Sequence, residues 1–200
     1  MPGNGVVEAE FATQYSQEPR SGRTKMSSQS EYLIVSASLS PTSRSRAMAS
    51  YLAHCYRTKS IPAEVVDLRN SPLPLCDGDS AYGHPSVAAL SQAISDARVI
   101  IVAVPIYNFD VSAALKNLVE LTGDAWENKI VGFLCAAGGA NSYMSVMGII
   151  NSLMLDFRCL IIPRFVYATG KDFEDGRLIS NAVKERIQEF ATASTKIRNG

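Results

Sequence analysis

Short apolar runs alternate with segments of helical periodicity along most of this chain, and this alternation limits the folds that it can adopt. The runs are Tyr32–Val35, Ala63–Leu68, Val99–Val104, Ile130–Ala136 and Cys159–Ala168. Most of them are apolar at consecutive positions, which indicates strands that are buried on both faces. Such strands, separated by helices, predict a parallel sheet that helices cover on both sides.

Proline and glycine suggest where these elements begin and end. Pro85 suits the first turn of a helix, and Gly123 suits the position after the last turn of another. Pro105 is expected to end the third strand, and Pro163 is expected to confine the fifth strand to an edge of the sheet. The other segments with helical spacing are Ser43–Tyr56, Val111–Thr122, Met144–Leu155 and Leu178–Ile197.

Right-handed crossovers leave few topologies for five such strands. We expect an α/β fold of the flavodoxin-like type, a doubly wound five-stranded parallel sheet in the order 2-1-3-4-5. A ligand of such a sheet binds beyond the carboxyl ends of the strands, at the switch point between strands 1 and 3. The loops after Ala37, Val104 and Ala136 are therefore where a functional site is expected.

The first thirty residues differ from the rest of the chain, because they are polar and show no hydropathy period. We interpret residues 1–30 as a flexible N-terminal arm and residues 31–200 as the flavodoxin-like domain. In a second interpretation the arm folds against a partner subunit through Val6, Val7 and Phe11.

The chain carries nineteen basic and nineteen acidic residues, so its formal net charge is zero. This balance argues against nucleic acid as a partner, since nucleic-acid binding needs a basic excess. It also argues against a polybasic membrane anchor, and every apolar run is far shorter than the ~20 residues that span a bilayer.

The four cysteines show no metal-ligand spacing, so no metal site is expected. Asp77, Asp79 and His84 are interpreted as solvated residues of a long loop rather than as ligands. Free thiols and the lack of an apolar signal segment at the N-terminus favour the cytoplasm.

The loop after the first strand reads Ser36-Ala37-Ser38-Leu39-Ser40-Pro41-Thr42-Ser43-Arg44-Ser45, with six hydroxyl residues. It leads into a helix whose N-terminus offers unpaired N–H groups and a partial positive charge. An N-cap needs only one hydroxyl, so the surplus, together with Arg44, indicates a phosphate site. The loop has no glycine and fits neither the Walker nor the dinucleotide pattern, which favours a monophosphate.

The other two loops indicate a flat ligand. Pro105-Ile106-Tyr107-Asn108-Phe109-Asp110 is apolar and aromatic where a loop is usually polar, which a bound ring system would explain. A cover for the sheet end or a subunit interface would explain it as well. Gly138 and Gly139 would let backbone approach a ligand closely, although an ordinary turn remains an alternative.

These three loops resemble those of the NADPH-dependent FMN reductase family over about Glu31 to Ile197. The first loop is similar to the family's FMN-phosphate loop, and Gly138-Gly139 is similar to its flavin-edge loop. Pro105-Ile106-Tyr107-Asn108, followed by Ala114-Leu115-Lys116-Asn117, is similar to the signature that positions the isoalloxazine. The nearest pattern is that of the reductases that supply reduced FMN to alkanesulfonate monooxygenases.

The resemblance implies FMN as cofactor, NADPH or NADH as hydride donor, and a flavin-dependent monooxygenase as a candidate partner. The first loop would hold the phosphate, the second would meet the ring, and the third would approach it from the other side. No catalytic triad or general base is implied. The implied cofactor-binding residues are Ser38, Ser40, Ser43, Arg44, Ser45, Pro105, Ile106, Tyr107, Asn108, Phe109, Gly138 and Gly139.

Three positions depart from the family pattern. Ala37 stands where the family usually has Gly, Ser40 where it often has Arg, and Asp110 where many relatives carry Ser. The phosphate grip would then rest more on Ser43 to Ser45, and weak, exchangeable FMN binding is expected.

The implied activity is that of an NAD(P)H:flavin oxidoreductase, in which hydride passes from nicotinamide to FMN. A quinone, an azo dye or a metal oxyanion as the acceptor is the first alternative. The second is a non-enzymatic electron carrier, although carriers are usually strongly charged for docking and this chain is neutral. The third is an interaction module with an inactive site, for which Ala37 and Ser40 are the best arguments.

The segment Met144–Leu155 is apolar around most of its circumference. One stripe can pack on the sheet, but the rest would form a larger exposed patch than a monomer usually carries. We therefore expect a homodimer or homotetramer, with Leu118 and Leu121 joining the two-fold interface.

Overall fold

The structure, a computed structural model, describes residues 30–198. The predicted N-terminal arm, residues 1–30, lies outside the described residues except for Ser30, so the boundary between arm and domain stays a prediction. Within the described range, no helix is both long enough and apolar enough to cross a membrane.

A central parallel sheet has five strand positions. The first four, in spatial order, are β2 (Ala63–Asp67), β1 (Tyr32–Ser36), β3 (Val99–Tyr107) and β5 (Ile130–Ala136). The fifth is shared by β6 (Leu160–Ile161) and β7 (Val166–Ala168), which both pair with β5. The flavodoxin-like α/β fold and the order 2-1-3-4-5 are therefore confirmed.

Five helices cover the two faces of the sheet. Leu33 and Val35 of β1 face one apolar core, and Ile34 faces the other, as the two-residue period of a strand requires. Helices α2, α3 and α4 pack on the first face, and α1 and α5 pack on the second. The helices are α1 (Arg44–Thr58), α2 (Pro85–Asp96), α3 (Ala113–Thr122), α4 (Met147–Phe157) and α5 (Asn181–Ser194).

Strand β3 continues through Pro105 to Tyr107, so the expectation that Pro105 ends the strand is wrong. The carbonyl of Ala103 faces β1, since it accepts a hydrogen bond from the N–H of Ala37 at 2.9 Å. Residues two apart in a strand present their polar groups to the same side, so Pro105 also faces this side. Strand β1 has already ended there, and the missing N–H of proline costs no hydrogen bond of the sheet.

The expected strand over Cys159–Ala168 is split into β6 and β7. Pro163 cannot donate a hydrogen bond to β5, and Arg164 has a φ of +59°, so the chain leaves the sheet between the two halves. The edge position that Pro163 predicts is confirmed by the order of the strands.

Three helices begin later than predicted. Val111 belongs to the short strand β4 (Asp110–Val111), and a 3-10 turn over Ala140–Val146 precedes α4. Leu178 lies in a hairpin of β8 (Phe173–Glu174) and β9 (Arg177–Leu178) before α5 begins. In each case the predicted first residue of the helix lies in a strand or a 3-10 turn. Hydropathy spacing alone does not distinguish such a segment from the first turn of an α-helix.

Candidate functional site

The three loops that were expected to carry the site meet at the carboxyl edge of the sheet. The hydroxyl of Ser112, the N-cap residue of α3, donates to the Ala37 carbonyl at 2.8 Å and joins the second loop to the first. Strand β4 contacts the 3-10 turn before α4, which joins the second loop to the third. Arg44 lies against Gly170, whose N–H donates to the Gly138 carbonyl at 3.3 Å, which joins the first loop to the third.

Side-chain hydroxyls shape the first loop from within. The Ser38 Oγ accepts from the N–H of Ser40, and the Ser40 Oγ accepts from the N–H of Thr42, each at 3.3 Å. Ala37, just before these residues, is fully buried in the apolar core and has no positive φ. Alanine therefore fits where the resemblance suggests glycine, without a strained backbone.

The end of this loop is the N-terminus of α1. Ser43 is the N-cap, and its hydroxyl accepts from the N–H of Arg46 at 3.1 Å. The N–H groups of Arg44 and Ser45, in the first turn, have no acceptor within the helix. The hydroxyls of Ser43 and Ser45 are 3.0 Å apart and share one hydrogen, so one hydroxyl hydrogen of the pair remains free whichever donates.

The two arginines of this turn have different surroundings. The Arg44 side chain is exposed, and no carboxylate among residues 30–198 pairs with it. A Cβ on Gly170 would lie only 3.4 Å from one Arg44 guanidinium nitrogen, which places this cation beside the turn that follows β7. Arg44 is therefore a free positive charge at a helix N-terminus.

Arg46 is enclosed by acceptors. It binds both carboxylate oxygens of Asp67, at 2.5 and 3.3 Å. It also donates to the carbonyl oxygens of Ser38 at 3.2 Å, Ser40 at 2.9 Å and Pro41 at 3.4 Å. The guanidinium thus connects the first loop to the end of β2.

The second loop is a two-residue β-hairpin in which β3 pairs with β4. Its central residues, Asn108 and Phe109, have φ values of +51° and +66°. Positive φ at both positions is the geometry of a type I′ turn, for which Asn-Gly is the preferred sequence. Asparagine tolerates this conformation, whereas a phenylalanine is strained in it.

The hairpin presents aromatic side chains and hides aliphatic ones. Tyr107 and Phe109 are 53% and 58% exposed. Pro105 and Ile106 are buried, so their side chains do not form part of the exposed face of the hairpin. The Asp110 carboxylate accepts a hydrogen bond from the N–H of Val111 at 2.7 Å.

The residues that follow the hairpin serve as supports. The Asn117 side chain accepts from the N–H of Cys76 and donates to the Pro74 carbonyl, both at 2.8 Å. It therefore anchors the long loop between β2 and α2. Lys116 pairs with Glu120 at 3.1 Å on the surface of α3.

The third loop is open towards the site. A Cβ on Gly138 or Gly139 would meet no heavy atom within 4 Å, so space is free beside this backbone. The Tyr167 hydroxyl donates to the Gly139 carbonyl at 2.6 Å and fixes the loop from below. The ring of Tyr143 stacks on Phe165 and meets Tyr167 edge-on, with centroids 4.8 and 5.4 Å apart.

Ionisable groups around the third loop are held in defined states. Burial raises the pKa of the Tyr167 phenol, so it stays a donor throughout the neutral range. Burial also raises the pKa of Cys135, below this loop, to about 12. Burial opposes ionisation of Asp172, but hydrogen bonds from Thr169 and Ser180 outweigh it and hold its pKa below the usual value.

The long loop carries no metal cluster in the part of the chain that the structure describes. Asp77 accepts from the Ser80 hydroxyl and from the N–H groups of Asp79 and Ala81, which lowers its pKa to about 2. His84 caps α2 by accepting from a first-turn N–H at 3.2 Å. These side chains hold turns together.

Three apolar side chains in α4 and just before it are exposed. Met144, Met154 and Leu155 are 54%, 47% and 84% exposed. Leu118 and Leu121, however, are buried within this chain and cannot contribute to an interface, which corrects that expectation. Both side chains fill the space between α3 and its neighbours.

Four supporting residues were missed by the sequence reasoning: Arg46, Asp67, Ser112 and Tyr167. Asp67 had a usable signal, because it is a charged residue at the carboxyl end of a predicted strand. Arg46 also had a usable signal in the sequence, because a cation in the first turn of a helix is unfavourable with respect to the helix dipole. Ser112 and Tyr167 act through long-range hydrogen bonds, which no local pattern reveals.

Comparisons with known proteins agree with this architecture. The family described as NADPH-dependent FMN reductase matches residues 31–174. An NAD(P)H-dependent FAD/FMN reductase of Geobacillus thermodenitrificans is 27% identical over 135 residues, which cover 66% of this chain and 72% of the relative. An NADPH:quinone oxidoreductase of Arabidopsis thaliana is 30% identical over 145 residues, which cover 66% and 73%.

Solved structures show the same fold. The apo form of an NADH:FMN oxidoreductase superposes with a TM-score of 0.69 at 16% identity, over 84% of this chain and 90% of that one. At this identity the similarity establishes only the arrangement of strands and helices. Any inference about the reaction therefore rests on the family match.

Proposed function

The chain belongs to the NADPH-dependent FMN reductase family, and from this premise we propose that its three loops bind FMN and that it reduces the flavin with NADPH or NADH. The main support for this proposal is that three loops meet at the switch point between β1 and β3: a hydroxyl-rich loop, an aromatic hairpin and an open glycine loop. Ligands of this kind of sheet bind at that point.

The residues of the first loop fit a phosphomonoester. Unpaired N–H groups of Arg44 and Ser45, a free hydroxyl hydrogen of the Ser43–Ser45 pair and the Arg44 guanidinium supply donors to an anion. The Ser36 Oγ, buried at the end of β1, has no hydrogen-bond partner among the described residues. Ser38 and Ser40 shape the loop through hydrogen bonds of their own, and we propose that their remaining hydroxyl capacity faces the phosphate.

The remaining proposed contacts hold a ring. Backbone groups of Pro105, Ile106 and Asn108 would meet its polar edge, and the exposed rings of Tyr107 and Phe109 offer apolar cover. Gly138 and Gly139 leave room on the other side. Flavin bound there would accept hydride from the nicotinamide, and these residues would position its ring.

Quinone as the final acceptor is a second candidate, because one relative is an NADPH:quinone oxidoreductase. The exposed aromatic rings of the hairpin would suit a flat acceptor as well as a second flavin. A flavin-dependent monooxygenase as recipient of reduced FMN is the corresponding proposal for a partner protein.

Assembly and location are further proposals. The exposed Met144, Met154 and Leu155 support a homodimer or homotetramer formed through α4. The four cysteines are free thiols, and three of them are buried, which supports a reducing compartment such as the cytoplasm.

The test is to add NADPH without oxygen to the purified protein saturated with FMN and to follow the visible flavin band. We expect bleaching far faster than with free FMN, and reoxidation by FMN, quinone or azo acceptors then ranks the candidates. A band that persists with both NADPH and NADH, while FMN is bound, would overturn the proposal in favour of an electron carrier.

A further inference from the structure

Arg46 has a hydrogen-bond pattern that differs from that of a ligand-binding arginine. A guanidinium has five N–H donors. In this structure those five donors meet five acceptor contacts, two on Asp67 and three on loop carbonyls. No donor remains for a bound anion.

The charge of Arg46 is also already compensated. Its side chain and that of Asp67 are only 22% and 18% exposed, and they form a two-pronged ion pair. Arg44, in the same helical turn, has no such partner within the described range. Electrostatic attraction for a phosphate therefore falls to Arg44 and the helix N-terminus.

The position of these bonds explains what Arg46 does. The carbonyl oxygens of Ser38, Ser40 and Pro41 belong to a loop without glycine, and all three are turned towards the guanidinium. A carbonyl oxygen that faced a phosphate would repel it. By binding these three oxygens, Arg46 keeps them away from the ligand side and fixes the loop before a ligand arrives.

We propose that Arg46, held by Asp67, is a positioning residue that sets the phosphate selectivity of the flavin site without touching the phosphate. The inference rests on the proposed binding of FMN by the first loop. It goes further because it assigns a role to a residue that does not contact the flavin. It also distinguishes the residue that holds the loop in shape, Arg46, from the residue that attracts the phosphate by its charge, Arg44.

The test compares the binding of FMN and riboflavin, which lacks the phosphate, by quenching of flavin fluorescence. The variant Arg46→Met keeps the aliphatic stem and removes the donors, and Arg46→Lys keeps the charge. Arg57→Met, the same change near the end of the same helix, is the matched control. Arg44→Met removes the free charge.

For Arg46→Met we expect FMN to bind about tenfold more weakly, and riboflavin within about twofold of wild type. Arg46→Lys should not restore FMN binding, because an ammonium donates from a single point and cannot span five acceptors. The salt dependence of FMN affinity should persist in Arg46→Met and shrink in Arg44→Met. Arg57→Met should match wild type.

Two results would overturn the inference. One is an unchanged ratio of FMN to riboflavin affinity in Arg46→Met. The other is full recovery in Arg46→Lys together with loss of salt dependence in Arg46→Met, which would make Arg46 a direct charge contact. If Arg46→Met does not fold, Arg46→Lys is judged by the same ratio of FMN to riboflavin affinity, which must fall. Failure of the wild-type protein to bind FMN would instead overturn the proposed function.

Discussion

The first loop and the second loop lie side by side at the same edge of the sheet but are built in opposite ways. In the first, buried or half-buried hydroxyls and one guanidinium satisfy the backbone groups of the turn. In the second, a two-residue turn carries Phe109 at a strained positive φ and exposes two aromatic rings. We infer that the first loop is built to hold a small anion and that the hairpin offers an apolar surface to flat rings.

The largest expected loss of FMN affinity follows from removing the positive charge of Arg44 in the first loop. Arg44→Gln removes the only arginine of the first helical turn that lacks a carboxylate partner in the described range. A hydrogen bond to a charged group contributes about 1.5–3 kcal/mol, so FMN affinity should fall about tenfold or more. Riboflavin affinity should stay the same, as fluorescence titration with both flavins will show. Equal loss for both flavins would place Arg44 at the ring.

Replacing Phe109 by glycine is expected to weaken flavin binding while it raises the stability of the fold. Phe109→Gly should relieve the strain of a φ near +66° and raise the free energy of unfolding by about 0.5–1 kcal/mol. It should also weaken FMN and riboflavin equally, by about fivefold, since an aromatic contact is lost. Urea unfolding and flavin titration measure the two effects.

The matched control for this experiment is Phe109→Ala. It removes the same ring but keeps a Cβ in the strained conformation, so it should weaken binding without a gain in stability. A stability gain of the same size in both variants would contradict the assignment of strain to this residue.

The connection between the two loops is tested by Ser112→Ala. This change leaves the buried Ala37 carbonyl without its hydrogen-bond donor and should lower the free energy of unfolding by about 1–2 kcal/mol. Ser152→Ala, which removes a hydroxyl bonded to its own helix, is the control and should have a much smaller effect. Equal effects would mean that the contact between the loops contributes nothing specific.

The smallest expected loss of flavin affinity is at the third loop. Tyr167→Phe removes the donor that fixes the Gly139 carbonyl and should cost about 1 kcal/mol of stability. Both flavins should bind slightly more weakly, by about the same factor, because the loop lies on the ring side. Tyr143→Phe removes a hydroxyl from the exposed neighbouring ring and should leave stability and binding unchanged.

The sequence was most informative where side-chain patterns are repeated and local. Continuous apolar runs predicted β1, β3 and β5, because strands buried on both faces require such runs. The order of the sheet followed from the rule that crossovers between parallel strands are right-handed. The same reasoning failed at Pro105, where the neighbouring strand ends early, and at Pro163, where a left-handed Arg164 splits the edge strand. Both outcomes depend on what lies beside the strand, which a single chain segment does not encode.

The candidate site shows the same limit. The rule for parallel sheets predicted the three loops and their meeting point, and the hydroxyl-rich turn is the basis for the proposed anion site. The buried side chains of Pro105 and Ile106 and the supports from Arg46 and Ser112 depend on contacts between distant segments. Ser43 caps α1, and the Ser43–Ser45 pair still keeps one hydroxyl hydrogen free for the proposed phosphate.

We propose that the first loop, braced by Arg46, holds the phosphate of FMN while the hairpin contacts the flavin ring. The most direct measurement is the ratio of FMN to riboflavin affinity for the wild-type protein at low and high salt. We predict that FMN binds at least about tenfold more tightly at low salt and that this advantage shrinks at high salt while riboflavin affinity stays constant. Equal affinities for the two flavins at low salt would contradict the assignment of the first loop.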